Sequence, residues 1–495
     1  EIEGIHHGTY RYGRWWWNAR GYTPAGVEAW NGIRAIDYLT SRDEVDDSRI
    51  GITGRSGGGA YSWWVAALDE RVKVAVPVAG IASLRNHVVD GCVEGHCDCM
   101  YPLNTFRWDF AEVAALVAPR PLLIVNTDRD RIFPLDGVVE IYNATRRIYR
   151  LLDEESMIGL AVSEGPHKDT QPLRANAFHW FERHLKGREL GDEIDTVAPE
   201  VVGRESLRVL DRIPDNEIVT KIDERFVRLA PSPELPADSE EWVRMRDAWR
   251  DRLLDKCFRA WPPEDEPCAL HELGRSSVDG VLLTHYELAP EGEFRESLTL
   301  ASPAEGARRA VLLVVEQTGW AKWSRDDCAA LRARAKTKGE AVALFAPRGV
   351  GASEWTSDER ERVQIRRRFM LLGMTLDSAR VWDIRRAIAQ ARTCPGIAGL
   401  PLTVEASGAM GHNALYASLF EDGVDALDLS ELPASHRDGA IYLNVLRFLD
   451  VPCAVAMAAE RCQVHLRGTD PSQWGFVSEL AERLAWPGRV QLSVE

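Results

Sequence analysis

The apolar positions of this chain fall into two kinds of run. Between residues 24 and 39 they recur at Val27, Trp30, Ile33, Ala35, Ile36 and Leu39, the spacing of one helix face. Short apolar runs follow at residues 49–54, 72–80, 121–127 and 157–163, each bounded by turn residues. Runs that short and that continuous predict parallel strands buried on both faces. A helical pattern over residues 172–185 ends at Gly187 and closes this part of the chain. Residues 188–270 differ in texture, with proline and acidic clusters and one helical stretch from Ser239 to about Phe258. They read as a connector with a helical arm. Strand patterns return at residues 280–289, 294–302 and 310–316. They continue at 341–346, 402–406, 462–466 and 489–494, with helices expected at 325–338, 376–392 and 473–484 between them. The expected organisation is therefore a unit at 1–187, a connector at 188–270 and a second α/β unit at 271–495.

Composition narrows the classes of function. Acidic residues number 76 against 60 basic, a formal net charge of −16. So acidic a surface argues against a general binder of nucleic acid or anionic membrane. No run of 18 apolar residues occurs, so no membrane-spanning helix is expected. The nine cysteines are too sparse for a disulfide scaffold. Compartment stays open, with export favoured if a leader once preceded Glu1.

The sharpest local signal is Gly54-Arg55-Ser56-Gly57-Gly58, between the strand pattern at 49–53 and a helical run at 61–68. A serine on a tight strand-to-helix turn has its hydroxyl lifted above the sheet, a nucleophile elbow. Gly54 and Gly58 are expected where side chains would collide, and the Gly57 N–H is expected to face a developing oxyanion. Such a serine needs a base, and the base needs an orienting acid. Asp128 and Asp130 both follow the strand pattern at 121–127; the spacing to Pro134 favours Asp130, with Asp128 capping the turn. His167 follows the next strand pattern, in the chain order serine, acid, histidine. His179 and His184 are expected to face solvent or pack.

These stretches resemble the acetyl xylan esterase-like group of α/β-hydrolases, related to the dienelactone hydrolase and prolyl oligopeptidase types. The carriers are the elbow at 54–61, Ile132-Phe-Pro-Leu-Asp-Gly-Val138 and Glu164-Gly-Pro-His-Lys-Asp-Thr170. The resemblance covers residues 1–187. It implies an α/β-hydrolase fold, a mostly parallel sheet with helices on both faces. It also implies serine ester hydrolysis without a cofactor, with acylated carbohydrate as the substrate class. A peptidase or thioesterase of the same fold, or a non-catalytic carbohydrate binder, are the alternatives.

Other stretches bear on the site and its setting. Asp90-Gly-Cys92-Val-Glu-Gly-His96-Cys97-Asp98-Cys99 could hold a metal or a local disulfide. The cysteine spacing is not a standard zinc pattern, so a packed loop lining the substrate cleft is preferred and no metal is expected. Trp15-Trp16-Trp17, with neighbouring tyrosines, could stack on sugar rings or fill a core. Arg55, Cys92, His96, Trp16 and Trp17 are the substrate-binding candidates. In the second unit Gly408 falls at the elbow position and Ser407 one residue early, with no acid–histidine pair after it. That unit reads as a chemically silent, degenerate copy. Only 55 residues precede Ser56 and they hold no convincing strand pattern. The first unit is therefore expected to lack its opening strands, leaving an open sheet edge and half an oxyanion hole.

Overall fold

The computed structural model describes residues 4–189 and 202–494. The chain divides into two compact units. The first comprises Glu1–Trp17, Tyr22–Val227 and Val363–Leu372; the second comprises Asn18–Gly21, Arg228–Arg362 and Gly373–Glu495. The expected connector is thus shared out. Residues 202–227 belong to the first unit and 228–270 to the second, while residues 190–201 lie outside the described residues.

In the first unit, helix α1 (Pro24–Thr40) starts where Thr23 accepts a hydrogen bond from the Gly26 N–H, with Pro24 at the first helical position. Four strands follow: β1 (Ile50–Arg55), β2 (Val72–Val78), β3 (Leu122–Thr127) and β4 (Ile158–Ser163). They pair in that order, all parallel. Among the described residues no strand precedes β1, which lies at one edge of this sheet. Helix α2 (Gly57–Leu68) joins β1 to β2, and α3 (Leu135–Leu151) joins β3 to β4. Helix α4 (Gln171–Lys186) ends at Gly187, which takes the left-handed conformation of a C-terminal cap.

The central strands β2 and β3 are apolar on both faces because both faces are covered, whereas alternate residues of edge strand β1 are exposed. Val74, Val76, Val78, Leu123 and Val125 pack against Leu173, Ala177 and Trp180 of α4. Ala75, Leu122 and Ile124 face the other way, into a core with Trp63, Val65, Phe110, Phe133 and Ile141.

The second unit opens with α5 (Ser239–Arg252), which passes into a wider π turn over Leu253–Cys257. Three antiparallel strands come next, β5 (Ala269–Val278), β6 (Val281–Ala289) and β7 (Glu296–Pro303). The parallel strands are β8 (Arg309–Val314), β9 (Glu340–Ala346), β10 (Leu402–Ser407), β11 (Ala426–Ser430), β12 (Gln463–Arg467) and β13 (Val490–Ser493). The sheet runs β13-β12-β11-β10-β8-β9-β7-β6-β5, the antiparallel strands forming one end. Helix α6 (Glu359–Leu371) begins in this unit and its last part belongs to the first; α7 (Gly408–Ser418) follows β10. No described helix is long and apolar enough to cross a membrane.

Several elements escape the sequence pattern, among them the helices Glu359–Leu371 and Val451–Arg461. Strand β5 is an edge strand with largely exposed, polar side chains, so it carries no apolar signature. Strand β11 has only five residues, with two fully buried leucines. Helix α3 is amphipathic and begins after Pro134, beyond the Asp-Arg-Asp turn on which the expectations for this stretch centred.

Candidate active site

Strand β1 ends at Arg55, and Ser56 takes φ 59° and ψ −120° before α2 begins at Gly57. A non-glycine residue rarely holds positive φ, and such strain persists only where the surroundings enforce it. Here the enforcement is the close passage of backbone over backbone. A Cβ on Gly54 would lie 2.6 Å from the Gly58 carbonyl oxygen, and one on Gly59 would lie 2.4 Å from that of Val78. Gly58, expected to be the crowded partner of Gly54, has open space around its Cβ position. The steric demand falls one residue later because the helix turns Gly59, rather than Gly58, against β2.

A carboxylate comes from the turn after β3. Asp130 is buried, and its Oδ1 accepts from the backbone N–H groups of Ile132 (2.8 Å) and Phe133 (3.0 Å). Its Oδ2 lies 2.7 Å from His167 Nδ1. His167 Nε2 lies 2.9 Å from Ser56 Oγ. An ionised carboxylate can only accept, so the Nδ1 proton sits between His167 and Asp130 and leaves Nε2 free to take the serine proton. Asp128 serves the turn itself, accepting from the Gly165 N–H at 2.7 Å. That bond, with Arg129 N–H to Gly165 C=O at 3.0 Å, stitches the acid turn to the histidine loop. His184 packs against Trp180, with ring centroids 4.3 Å apart and the rings tilted.

Gly57 opens α2, so its N–H is among those without an intrahelical partner. Arg55 is exposed beside the serine. Cys92 is half-buried, with its sulfur 3.9 Å from the Arg131 carbonyl oxygen.

Two substrate-binding candidates are corrected by burial. Trp17 is fully enclosed in a cluster with Ile5, Tyr22 and Val27, its indole N–H donating to Asp223 at 3.2 Å. Its aromatic face is therefore not offered to any ligand, and the half-buried Trp16 packs against the same cluster. His96 is also buried, with Nε2 2.8 Å from the Ile132 carbonyl oxygen. Burial, with His87 close by, lowers its pKa to about 3, so the ring is neutral.

Cys97 and Cys99 are joined as a disulfide. With His6 they form the one group of metal-type ligands brought together among the described residues, within 4.8 Å of one another. Metals bind thiolates, and sulfurs bonded to each other are not thiolates. The Cys99 sulfur sits 3.8 Å from where a Cβ on Gly57 would be, which brings this loop against the elbow.

In the second unit β10 passes into α7 at Gly408, which takes φ 55°, close to the value at Ser56. The turn is retained and the residue at its apex has no side chain. Ser407 has ordinary extended backbone.

The family model for the prolyl oligopeptidase family matches residues 6–186. That span holds the parallel sheet, the elbow and all three residues of the Ser56–His167–Asp130 array. The first unit has an α/β-hydrolase fold. The α/β-hydrolase unit is 29% identical over 161 residues to “Putative hydrolase YtaP” of Bacillus subtilis, covering 32% of this chain and 54% of that protein. It is 25% identical over 192 residues to “Uncharacterized peptidase YuxL” of the same organism, covering 36% of this chain and 29% of that protein. The chain thus spans about half the length of the first of these relatives and less than a third of the second. Among solved structures, a “putative acetyl xylan esterase” from Bacteroides fragilis aligns with a TM-score of 0.41 at 15% identity, over 52% of this chain and 74% of its own.

Proposed function

We propose that this protein is a serine hydrolase that cleaves carboxylic esters in its α/β-hydrolase unit, with acylated carbohydrate as the substrate class. The observation that carries the reading is the continuous hydrogen-bonded array Ser56 Oγ–His167–Asp130, at 2.9 and 2.7 Å. In this reading His167 Nε2 takes the hydroxyl proton as Ser56 Oγ attacks the acyl carbonyl. Asp130 holds the imidazole in the tautomer that can accept, and stabilises the imidazolium that forms. The Gly57 N–H donates to the carbonyl oxygen as it becomes an oxyanion. His167 then returns its proton to the departing alcohol. Water, activated by the same imidazole, releases the acid from the acyl-enzyme and restores Ser56. No step calls on a cofactor.

The carbohydrate part of the proposal rests on the resemblance of the three quoted stretches to acetyl xylan esterase-like proteins. It does not rest on a tryptophan platform, because Trp17 is enclosed. Arg55 is the candidate to meet the substrate beside the nucleophile, and Cys92 borders the same loop region. A second reading is peptide hydrolysis, favoured by the match to the prolyl oligopeptidase family. For the second unit we propose a degenerate hydrolase-like domain without chemistry of its own, supported by the glycine at the apex of its elbow.

A fluorophosphonate probe and paired substrates test this directly. The wild-type chain should label at Ser56 and turn over acetylated xylan and aryl acetates. Ser56→Ala should lose labelling and about 10⁶-fold of kcat. A wild-type chain inert to the probe would refute the catalytic reading. Cleavage of peptides but not acetyl esters would move it to the peptidase reading.

A further inference from the structure

Arg367 is a buried charged residue of the first unit that the Ser56–His167–Asp130 array does not use. It lies in the last part of α6, two hundred residues beyond His167 in the chain, in the segment Val363–Leu372 that belongs to the α/β-hydrolase unit. Its side chain is 1% exposed. One guanidinium nitrogen donates to the Val93 carbonyl oxygen at 3.0 Å, and another to that of His96 at 2.8 Å. The guanidinium lies 4.7 Å from the Tyr10 ring centroid and 5.1 Å from that of Tyr101, both within cation–π range. Asp98 stands 3.7 Å away, already engaged by the N–H and hydroxyl of Thr9. The planar guanidinium fork fits this setting, because it satisfies two backbone carbonyls that point inward while stacking between rings. Leu371, one turn on, is 1% exposed in the core that also contains Tyr101 and Phe133.

The loop that Arg367 holds touches the array at both ends. His96 reaches from it to the Ile132 carbonyl oxygen at 2.8 Å. The N–H of the same Ile132 donates to Asp130 Oδ1 at 2.8 Å. Cys99, three residues on, lies against Gly57. One buried guanidinium therefore fixes a loop that supports the acid turn on one side and the oxyanion corner on the other.

We infer that Arg367 is a positioning residue for ester hydrolysis, acting through the residue 93–101 loop on Asp130 and Gly57. The inference rests on the serine-hydrolase reading above. It gives the C-terminal half of the chain a specific part in the first unit's chemistry, since Arg367 and Leu371 come from beyond residue 360.

The test uses the full-length chain. Wild type, Arg367→Met, Arg367→Lys and Arg367→Ala are each titrated with a fluorophosphonate probe, so that kcat is expressed per reactive serine. The expected result for Arg367→Met is a kcat per labelled site lower by about tenfold to a hundredfold, the scale of an ångström-level misplacement, with KM within about twofold. Arg367→Lys should keep part of the rate, and millimolar guanidinium ion should restore part of it to Arg367→Ala but add nothing to wild type. If the variants lose only labelled fraction and melting temperature, with kcat per labelled site unchanged, Arg367 is a folding residue and the inference is overturned. If the wild type neither labels nor turns over, the serine-hydrolase reading fails and takes this inference with it.

Discussion

Asp130→Asn separates the orienting role of the acid from its role in the fold. The two carboxylate oxygens have different partners. Oδ1 accepts two backbone N–H groups, and Oδ2 accepts from His167 Nδ1. In the asparagine variant the amide oxygen is the only acceptor, and two donors at 2.8 and 3.0 Å compete for it against one. The turn wins, so the NH₂ group faces His167 Nδ1. That nitrogen must then offer its lone pair, which moves the imidazole proton to Nε2, where it blocks acceptance from Ser56. The wrong tautomer in such an array costs about 10⁴ in kcat, or about 5 kcal/mol of activation free energy. The turn bonds survive, so the melting temperature should move little. Asp130→Ala makes the control: it strands two buried N–H donors, at about 1–3 kcal/mol each, and should lose stability as well as rate. The assay is kcat on an aryl acetate at pH 7 with thermal unfolding alongside. A fall of less than tenfold in Asp130→Asn, or equal losses of melting temperature in the two variants, would refute the tautomer argument.

Gly54→Ala should inactivate the protein and destabilise it by a few kcal/mol, because its Cβ meets backbone atoms of Gly58 at 2.6–2.9 Å that cannot move aside; near-normal labelling and melting would contradict this. Ser407→Ala should leave fluorophosphonate labelling unchanged, and a loss of label there would assign chemistry to the second unit. His87 and His96 are buried neutral, with pKa values lowered by burial to about 4 and about 3. The unfolded chain protonates both near pH 6.5 while the folded chain does not, so their contribution to stability is complete above that pH and is lost as pH falls toward 4. Arg367 lies near both rings, and its positive charge adds to the lowering by burial. Denaturant midpoints from pH 7 to pH 5 should fall, and fall less in His96→Gln, which keeps a donor for the Ile132 carbonyl; equal slopes would count against it.

The sequence alone was enough for the features that rest on local chain chemistry. Short apolar runs marked β1 to β4, most clearly the central β2 and β3, because strands covered on both faces must be apolar nearly throughout. The elbow was legible because its backbone needs glycine, and Asp130 and His167 because chain order follows the strand ends of a parallel sheet. Strand β5 and strand β11 were not legible, one being too exposed and the other too short to carry a pattern. The tertiary structure decided what depends on partners distant in sequence. It placed Trp17 and His96 inside the molecule, where an aromatic-rich stretch and a loop after β2 had suggested contact with substrate. It moved the crowded glycine from 58 to 59, since only the approach of β2 decides which Cβ has room. It also brought Arg367 and Leu371 into the first unit. Periodicity reports which face of an element is buried and says nothing of what buries it. A buried arginine two hundred residues from His167 becomes visible only when the chain has folded back to meet the carbonyls it satisfies.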